Sequence, residues 1–182
     1  KGADSSAIAA KAKEVADKLG AKNLSVMVDD REEYTPGWKF NQWELKGVPV
    51  RVEIGPRDLK QQQITVARRD TYQKIAVKED ETVDAIERLL EEIQNNLYAK
   101  AKKSLEEKIT TVQDYGEFAK TLKEKGGFIK AAWCGNPECE AKIKDETGAT
   151  IRVLPFEQEE VAGGCVYCGQ KANKIAYFAR SY

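Results

Sequence analysis

A chain of 182 residues has room for one large domain or two small ones. Thirty basic side chains balance thirty acidic ones, so no generalised polyanion-binding surface is expected, and a nucleic-acid partner would have to be met by a local patch. The 41% of hydrophobic residues can build a core, yet no apolar run approaches the ~20 residues of a membrane span, which predicts no membrane partner.

The opening residues have no targeting character. They predict a loop and then a helix over 5–19, with Asp4, Ser5 or Ser6 as N-cap, Gly20 as stop, and Ile8, Ala12, Val15, Ala16 and Leu19 on one face. Leu24–Val28 alternates as a short strand. After the Pro36-Gly37 punctuation comes a short helical turn ending at Gly47, and then strict alternation over Val48–Ile54 predicts a half-buried strand. Gln63–Arg69 and Lys74–Lys78 read as a hairpin around Asp70-Thr71. From Asp80 to about Ile109 the spacing of Val83, Ile86, Leu89, Leu90, Ile93, Leu97 and Ala101 predicts one long helix, a plausible bridge between two halves. A helix at Tyr115–Lys125, a strand at Phe128–Trp133, a short helix at Pro137–Lys144 and strands at Thr150–Leu154 and Lys174–Ala179 complete the second half. The expected architecture is a mixed α/β domain over residues 1–98, followed by a small α+β domain over 99–182.

The only cysteines fall in two short-spaced pairs, Cys134/Cys139 in WCGNPEC and Cys165/Cys168 in GGCVYCG. Two tight knuckles, each presenting two sulfurs, are what a tetrahedral four-thiolate site needs, and Gly135, Gly164 and Gly169 supply the backbone freedom. Structural zinc is therefore expected. Two disulfides or four free thiols fit less well, because the lack of a secretory leader or further cysteine framework predicts an intracellular setting. Four thiolates leave no open position, and the chain contains no histidine, so a catalytic metal is disfavoured.

A second concentration of chemistry lies in YTPGWKFNQWELKGVPVRVEIGPRDL, which gathers Trp38, Phe40, Trp43, Glu44, Arg51, Glu53, Arg57 and Asp58. Phe40 and Glu44 share a helical face, Arg51 follows on the adjacent strand, and Lys74 sits in the hairpin that would pair nearby. An aromatic plane, a carboxylate and two cations suit an unstacked guanine, whose N1–H and N2–H₂ match a carboxylate and whose O6 and N7 match Arg or Lys. Residue chemistry alone leaves the plainer reading open: Phe40 and Trp43 as core, and Glu44 with Arg51 as a surface ion pair. The cluster Arg51, Arg57, Lys60, Arg68, Arg69 and Lys74 would form the local basic surface.

PGWKFNQWELKGVPVRVEIGPRDL followed by VARRDT resembles the anticodon-binding domain of the prolyl-tRNA synthetase family, of its archaeal and eukaryotic-like type. WCGNPECEAKIKDETGATIRVLPFEQ, then CVYCG and a terminal FARSY, is similar to that family's appended zinc-binding domain. Related synthetases for threonine, histidine and glycine share the first domain but not this tail. The resemblance implies an α/β anticodon-binding domain with a mixed sheet and flanking helices, then a small α+β zinc-binding domain. The positions that match the family's anticodon contacts are Phe40, Glu44, Arg51 and Lys74. The zinc ligands transfer to Cys134, Cys139, Cys165 and Cys168, and Tyr182 to a terminus that docks toward a catalytic domain, against the plainer reading of a frayed end.

What the resemblance implies for the full-length protein is a cytoplasmic, homodimeric ligase that attaches proline to tRNA(Pro) using ATP and Mg, with no DNA partner. This chain lacks the motifs of the catalytic domain and the strand that opens the anticodon domain, so it is expected to be a C-terminal part, inactive alone and of doubtful independent stability in its first half. The alternatives are a free-standing zinc-stabilised RNA-binding protein or a protein-interaction module.

Overall fold

The computed structural model describes residues 2–161 and 163–181, and the chain divides into two units between Lys100 and Ala101. The first contains α1 (Gly2–Gly20), α2 (Pro36–Leu45), β1 (Val50–Glu53), α3 (Pro56–Gln61), β2 (Gln63–Arg68), β3 (Lys74–Lys78) and most of α4 (Thr82–Glu107), which follows a 3₁₀ turn at Glu79–Glu81. The strands form an antiparallel sheet in the order β1-β2-β3. Successive side chains of a strand point to opposite faces. Ile64 and Val66 of β2 therefore face one way with Val50, Val52 and Val77, and pack on Val15 and Leu19 of α1 and on Ala85, Ile86 and Leu89 of α4. The other face carries Arg51, Glu53, Thr65, Ala67 and Lys74.

Several expectations change here. Helix α1 begins at Gly2, so Asp4, Ser5 and Ser6 lie within it and none is its N-cap. Leu24–Val28 forms no strand, and Val26, Met27 and Val28 are exposed. Among the described residues no strand runs beside it, and without a partner the backbone groups of an extended segment have no ladder to join. The long helix stops at Glu107, and Ile109 opens a strand. Its apolar stripe is buried from Ala85 to Ile93, whereas Leu97 and Ala101 are exposed. Helix α3 was not anticipated; its first turn is fixed by Asp58, whose carboxylate accepts from the Gly55 N–H at 2.8 Å and from the Thr65 hydroxyl at 3.0 Å.

The hairpin turn after β2 is clipped to α4. Asp70 accepts two hydrogen bonds from Arg68, at 3.1 and 3.0 Å, and one from Asn96 at 2.5 Å, while Arg68 also reaches Glu92 at 2.8 Å. The Asp70 carboxylate has no exposed surface.

The second unit holds the remainder of α4, β4 (Ile109–Thr111), α5 (Tyr115–Glu124), β5 (Phe128–Trp133), α6 (Pro137–Thr147), β6 (Ala149–Val153) and β7 (Lys174–Arg180). Its sheet runs β4-β5-β7-β6, with β4 and β5 parallel and the other pairs antiparallel. The parallel pair is joined through α5, as a crossover connection requires. Asp114 caps α5 by accepting from the Glu117 N–H at 2.9 Å, and Asn136 caps α6 by accepting from that of Glu138, also at 2.9 Å. Ile129, Ala131 and Trp133 alternate inward from β5 onto Phe118, Leu122, Ile143 and Phe178. The Phe118 and Phe178 rings meet edge to face at 5.3 Å. Gly127 before β5 has φ +76°, and a Cβ there would come within 2.5 Å of the Lys108 carbonyl oxygen, so only glycine fits this turn.

Candidate functional sites

The polar face of the first sheet is assembled by register. Arg51 of β1 pairs with Ala67 of β2, and Ala67 with Lys74 of β3, so the two cations stand in one row with a methyl group between them. Glu53, two residues beyond Arg51, belongs to the same face. Over this row lies α2, started by Thr35, whose hydroxyl accepts from the Trp38 N–H, and by Pro36 in its first turn. One helical turn separates Phe40 from Glu44, which brings both to the sheet.

The four residues expected from the sequence converge. Arg51 Nη1 donates to Glu44 Oε1 at 2.6 Å and its Nε to Glu53 Oε1 at 3.0 Å, while Lys74 Nζ donates to Glu53 Oε2 at 2.8 Å. The Arg51 guanidinium carbon is 4.0 Å from the centre of the Phe40 ring and Lys74 Nζ is 5.6 Å from it. Both cations thus combine an ion pair with the negative face of one aromatic ring. Phe40 and Trp43 are half-buried and belong to neither core, so the reading of these aromatics as core fails, while the Glu44–Arg51 ion pair is present.

Glu53 is the member of this cluster to which sequence reasoning assigned no role. Its i, i+2 spacing from Arg51 on a strand was the available signal. The expected basic surface divides instead of forming one patch. Arg68 points to the other face and is taken up by Asp70 and Glu92, and Arg57 and Lys60 lie exposed on α3.

Helix α2 is held from behind by Asp29. Its carboxylate accepts from Arg31 Nε at 2.8 Å, from Arg31 Nη2 at 2.7 Å and from Trp43 Nε1 at 2.8 Å, and the Arg31 guanidinium holds it well below the usual carboxylate range. A small cleft opens where Trp43, Glu44 and Arg51 meet Ala67 and Arg69.

The second site gathers the cysteines. Cys134 follows β5, Cys139 lies in the first turns of α6, and Cys165 and Cys168 form a loop closed by the Gly164–Lys171 bridge. All four sulfurs lie within 4.8 Å of one another, with Cys134 to Cys139 at 3.7 Å and Cys134 to Cys168 at 3.9 Å. Four sulfurs about 2.3 Å from one ion stand about 3.8 Å apart at the corners of a tetrahedron, so the donor set fits a metal ion. A disulfide would bring two sulfurs to about 2.05 Å, and all four are free.

The knuckles are built for close approach. Gly135 and Gly169 have φ of +84° and +69°, and a Cβ on Gly164 would strike the Gly169 carbonyl. Tyr167 and Tyr115 both donate to Glu146 of α6, at 2.6 and 2.5 Å, which ties the second knuckle to the helix bearing Cys139. Burial pushes the Cys139 thiol up to about 12. Burial also opposes ionisation of Cys165, but the backbone amides of Cys168, Tyr167 and Cys134 outweigh it and bring that thiol down to about 7. Tyr182, expected as a docking terminus, lies outside the described residues.

Comparison with known proteins gives both units a family. Residues 2–89 match the model of the anticodon binding domain, and residues 115–182 match that of the C-terminal region of prolyl-tRNA synthetase. The chain is 54% identical over 164 residues to proline--tRNA ligase 2 of Clostridioides difficile, covering 90% of this chain and 34% of that protein. It is 52% identical over 159 residues to the proline--tRNA ligase of Natranaerobius thermophilus (86% and 33%), and 48% identical over 172 residues to that of Alkaliphilus oremlandii (94% and 36%).

The fold and the two sites thus define an anticodon-binding α/β domain joined to a small domain with a metal-competent cysteine cluster. The chain belongs to the prolyl-tRNA synthetase family, as a C-terminal part of it, and spans about a third of the length of the curated relatives it matches.

Proposed function

We propose that this chain is the tRNA-recognition part of a proline--tRNA ligase and reads the guanines of the proline anticodon on the polar face of its first sheet. The observation that carries the reading is the convergence of Phe40, Glu44, Arg51 and Lys74 on one accessible face. Phe40 stacks on a base released from the loop. Glu44 accepts from a guanine Watson–Crick edge, and Arg51 and Lys74 donate to guanine acceptor atoms or to the backbone. Arg51 and the two carboxylates already hold one another, so the site is preorganised, and a guanine edge exchanges one protein hydrogen-bond partner for another without leaving a charge unpaired.

Residues 1–98 form the anticodon-binding domain and 99–182 the zinc-binding domain, a boundary inside α4 two residues from where the two units divide. Cys134, Cys139, Cys165 and Cys168 hold a structural zinc ion, whose four bonds join the turn after β5, α6 and the 165–168 loop. Adenylation and transfer of proline, with ATP and Mg, belong to the part of the ligase that this chain does not span, and the full-length protein is a cytoplasmic homodimer. Among the described residues no helix is long and apolar enough to cross a membrane.

The test is binding of the chain to a proline anticodon stem-loop, beside one whose two guanines are exchanged for cytosines, at one fixed salt concentration. Clear preference for the guanine loop is the expected result. Equal affinity for both loops from a folded, zinc-loaded chain would refute anticodon reading by this face.

A further inference from the structure

On the anticodon-reading face every carboxylate is taken. Arg51 is shared between Glu44 and Glu53, and Lys74 is bonded to Glu53, so two cations and two carboxylates cancel. Arg69 stands beside them and makes no ion pair among the described residues. Its N–H continues the β1–β2 ladder by donating to the Pro49 carbonyl at 3.0 Å. It lies two residues beyond Ala67, the residue between Arg51 and Lys74, and so its side chain leaves the sheet on their face. There it lines the cleft with Trp43, Glu44 and Arg51.

Two observations separate Arg69 from a solvated surface charge. Its Nε is buried and has no hydrogen-bond partner among the described residues. A desolvated guanidinium N–H without an acceptor is costly unless a ligand supplies one. The neighbouring Arg68 shows what a structural arginine looks like in this fold: its guanidinium is committed to Asp70 and Glu92 on the opposite face. The Arg-Arg pair thus splits between a clip that holds the hairpin and a guanidinium at the rim of the site whose Nε has no partner among the described residues.

We propose that Arg69 is a further RNA-contacting side chain, binding a backbone phosphate of the nucleotide loop that presents the guanines. This rests on the anticodon reading and deepens it. The planar fork of N–H donors matches a phosphate in a bidentate way, and the site otherwise offers no net positive charge to hold the loop's backbone. Lys46, the residue that ends α2, has its ammonium 4.5 Å from the centre of the Trp43 ring and so adds positive potential beside the cleft that Trp43 lines. A phosphate contact positions the loop without reading its sequence, which leaves base selection to Glu44 and Arg51.

The experiment measures affinity of the parent chain and of R69Q for the guanine and cytosine loops over a series of salt concentrations. The expected result is a loss of about tenfold for both loops, a guanine preference kept within twofold, and a log–log salt slope smaller by about one. Unchanged affinity and slope overturn the proposal, as does a loss of guanine preference with the slope intact, which would make Arg69 a base reader. Circular dichroism checks that the variant is folded. Where R69Q fails to fold, R69K is tested against loops with single phosphates neutralised as methylphosphonates. A position whose neutralisation weakens the parent several-fold more than R69K supports the contact, and identical profiles overturn it. A parent chain that shows no guanine preference refutes the underlying reading, whereas a parent with preference and an R69Q indistinguishable from it refutes this inference alone.

Discussion

Glu44 and Arg51 lie seven residues apart in sequence, one on α2 and one on β1, and meet at 2.6 Å. Neither is fully buried, and Glu44 keeps a third of its side chain exposed. An ion pair in that setting contributes little to stability by itself. What the pairing does is fix two side chains, and through Arg51 also Glu53 and Phe40, in one geometry before any ligand arrives. The plain reading of a surface ion pair and the reading of a base-recognition site therefore describe the same atoms in the free and the bound chain.

Exchange of Glu44 for glutamine keeps the shape and one acceptor oxygen but replaces the other with an amino group, which cannot accept from a guanine edge. The expected outcome is a fall in the preference for the guanine loop over the cytosine loop of about 5- to 150-fold, corresponding to about 1–3 kcal/mol per bidentate contact. Affinity for the cytosine loop should change by much less. Equal losses on both loops, measured by titration at one salt concentration, would remove Glu44 from base reading.

Phe40 gives a different signature, because stacking does not depend on the identity of the base. F40A should weaken binding to every loop by about 1–3 kcal/mol, while F40Y retains most of the affinity. The ring also lies against Arg51 and Lys74, so F40A should be checked by thermal denaturation. Loss of binding that tracks loss of folding would assign the ring to structure.

The second half was more legible in the sequence than the first, for physical reasons. Phe128–Trp133 was expected and found residue for residue, because alternation, the preceding Gly126-Gly127 and the following cysteine knuckle all point to one answer. Leu24–Val28 alternates just as well but is no strand, since a strand exists only when another backbone lies beside it, and local pattern carries no information about that neighbour. The four contact residues could be proposed from chemistry and family resemblance. Glu53 became part of the site only when the β1–β2–β3 register placed it on the face of Arg51 and Lys74. Arg68 and Arg69 were indistinguishable as letters, and the strand's alternation sends them to opposite faces.

The Asp70 clip predicts how the first unit responds to acid. Hydrogen bonds from Arg68 and then Asn96 lower this carboxyl from its ordinary value of 3.8 to about 2. A folded-state pKa depressed below the unfolded one adds stability that is complete above about pH 4 and is lost as pH falls toward 2. Stability of the first unit, followed by urea denaturation, should lose this contribution between about pH 4 and 2. At neutral pH, D70N should cost about 1–3 kcal/mol, because it removes one of the two carboxylates on Arg68 while Glu92 and the amide oxygen remain as acceptors, and the acid dependence in that window should shrink. A variant with the parent's acid profile would show that the clip does not control it.

Metal removal tests the second unit. Four sulfurs crowded within 4.8 Å, two of them buried, cannot all carry charge without a cation among them. A structural zinc bound by such a set contributes about 10–16 kcal/mol of apparent free energy in small zinc domains, comparable to the whole stability of a typical domain. The chain should contain one zinc per molecule by elemental analysis. Chelation, or C139S, should abolish the cooperative melting of the second unit. Trp133 reports this directly, since it is 7% exposed and packs in the same core as Cys139 and Cys165, so its fluorescence should shift to the red as the ion leaves. Among the described residues, those of α1, α2 and the first sheet do not enter the cysteine core. Their melting transition should therefore survive in the metal-free chain, as should its guanine preference. A second unit that melts at the same temperature with and without chelator would mean that its core of Phe118, Ile129, Ile143 and Phe178 suffices and that the cysteines are not its structural anchor.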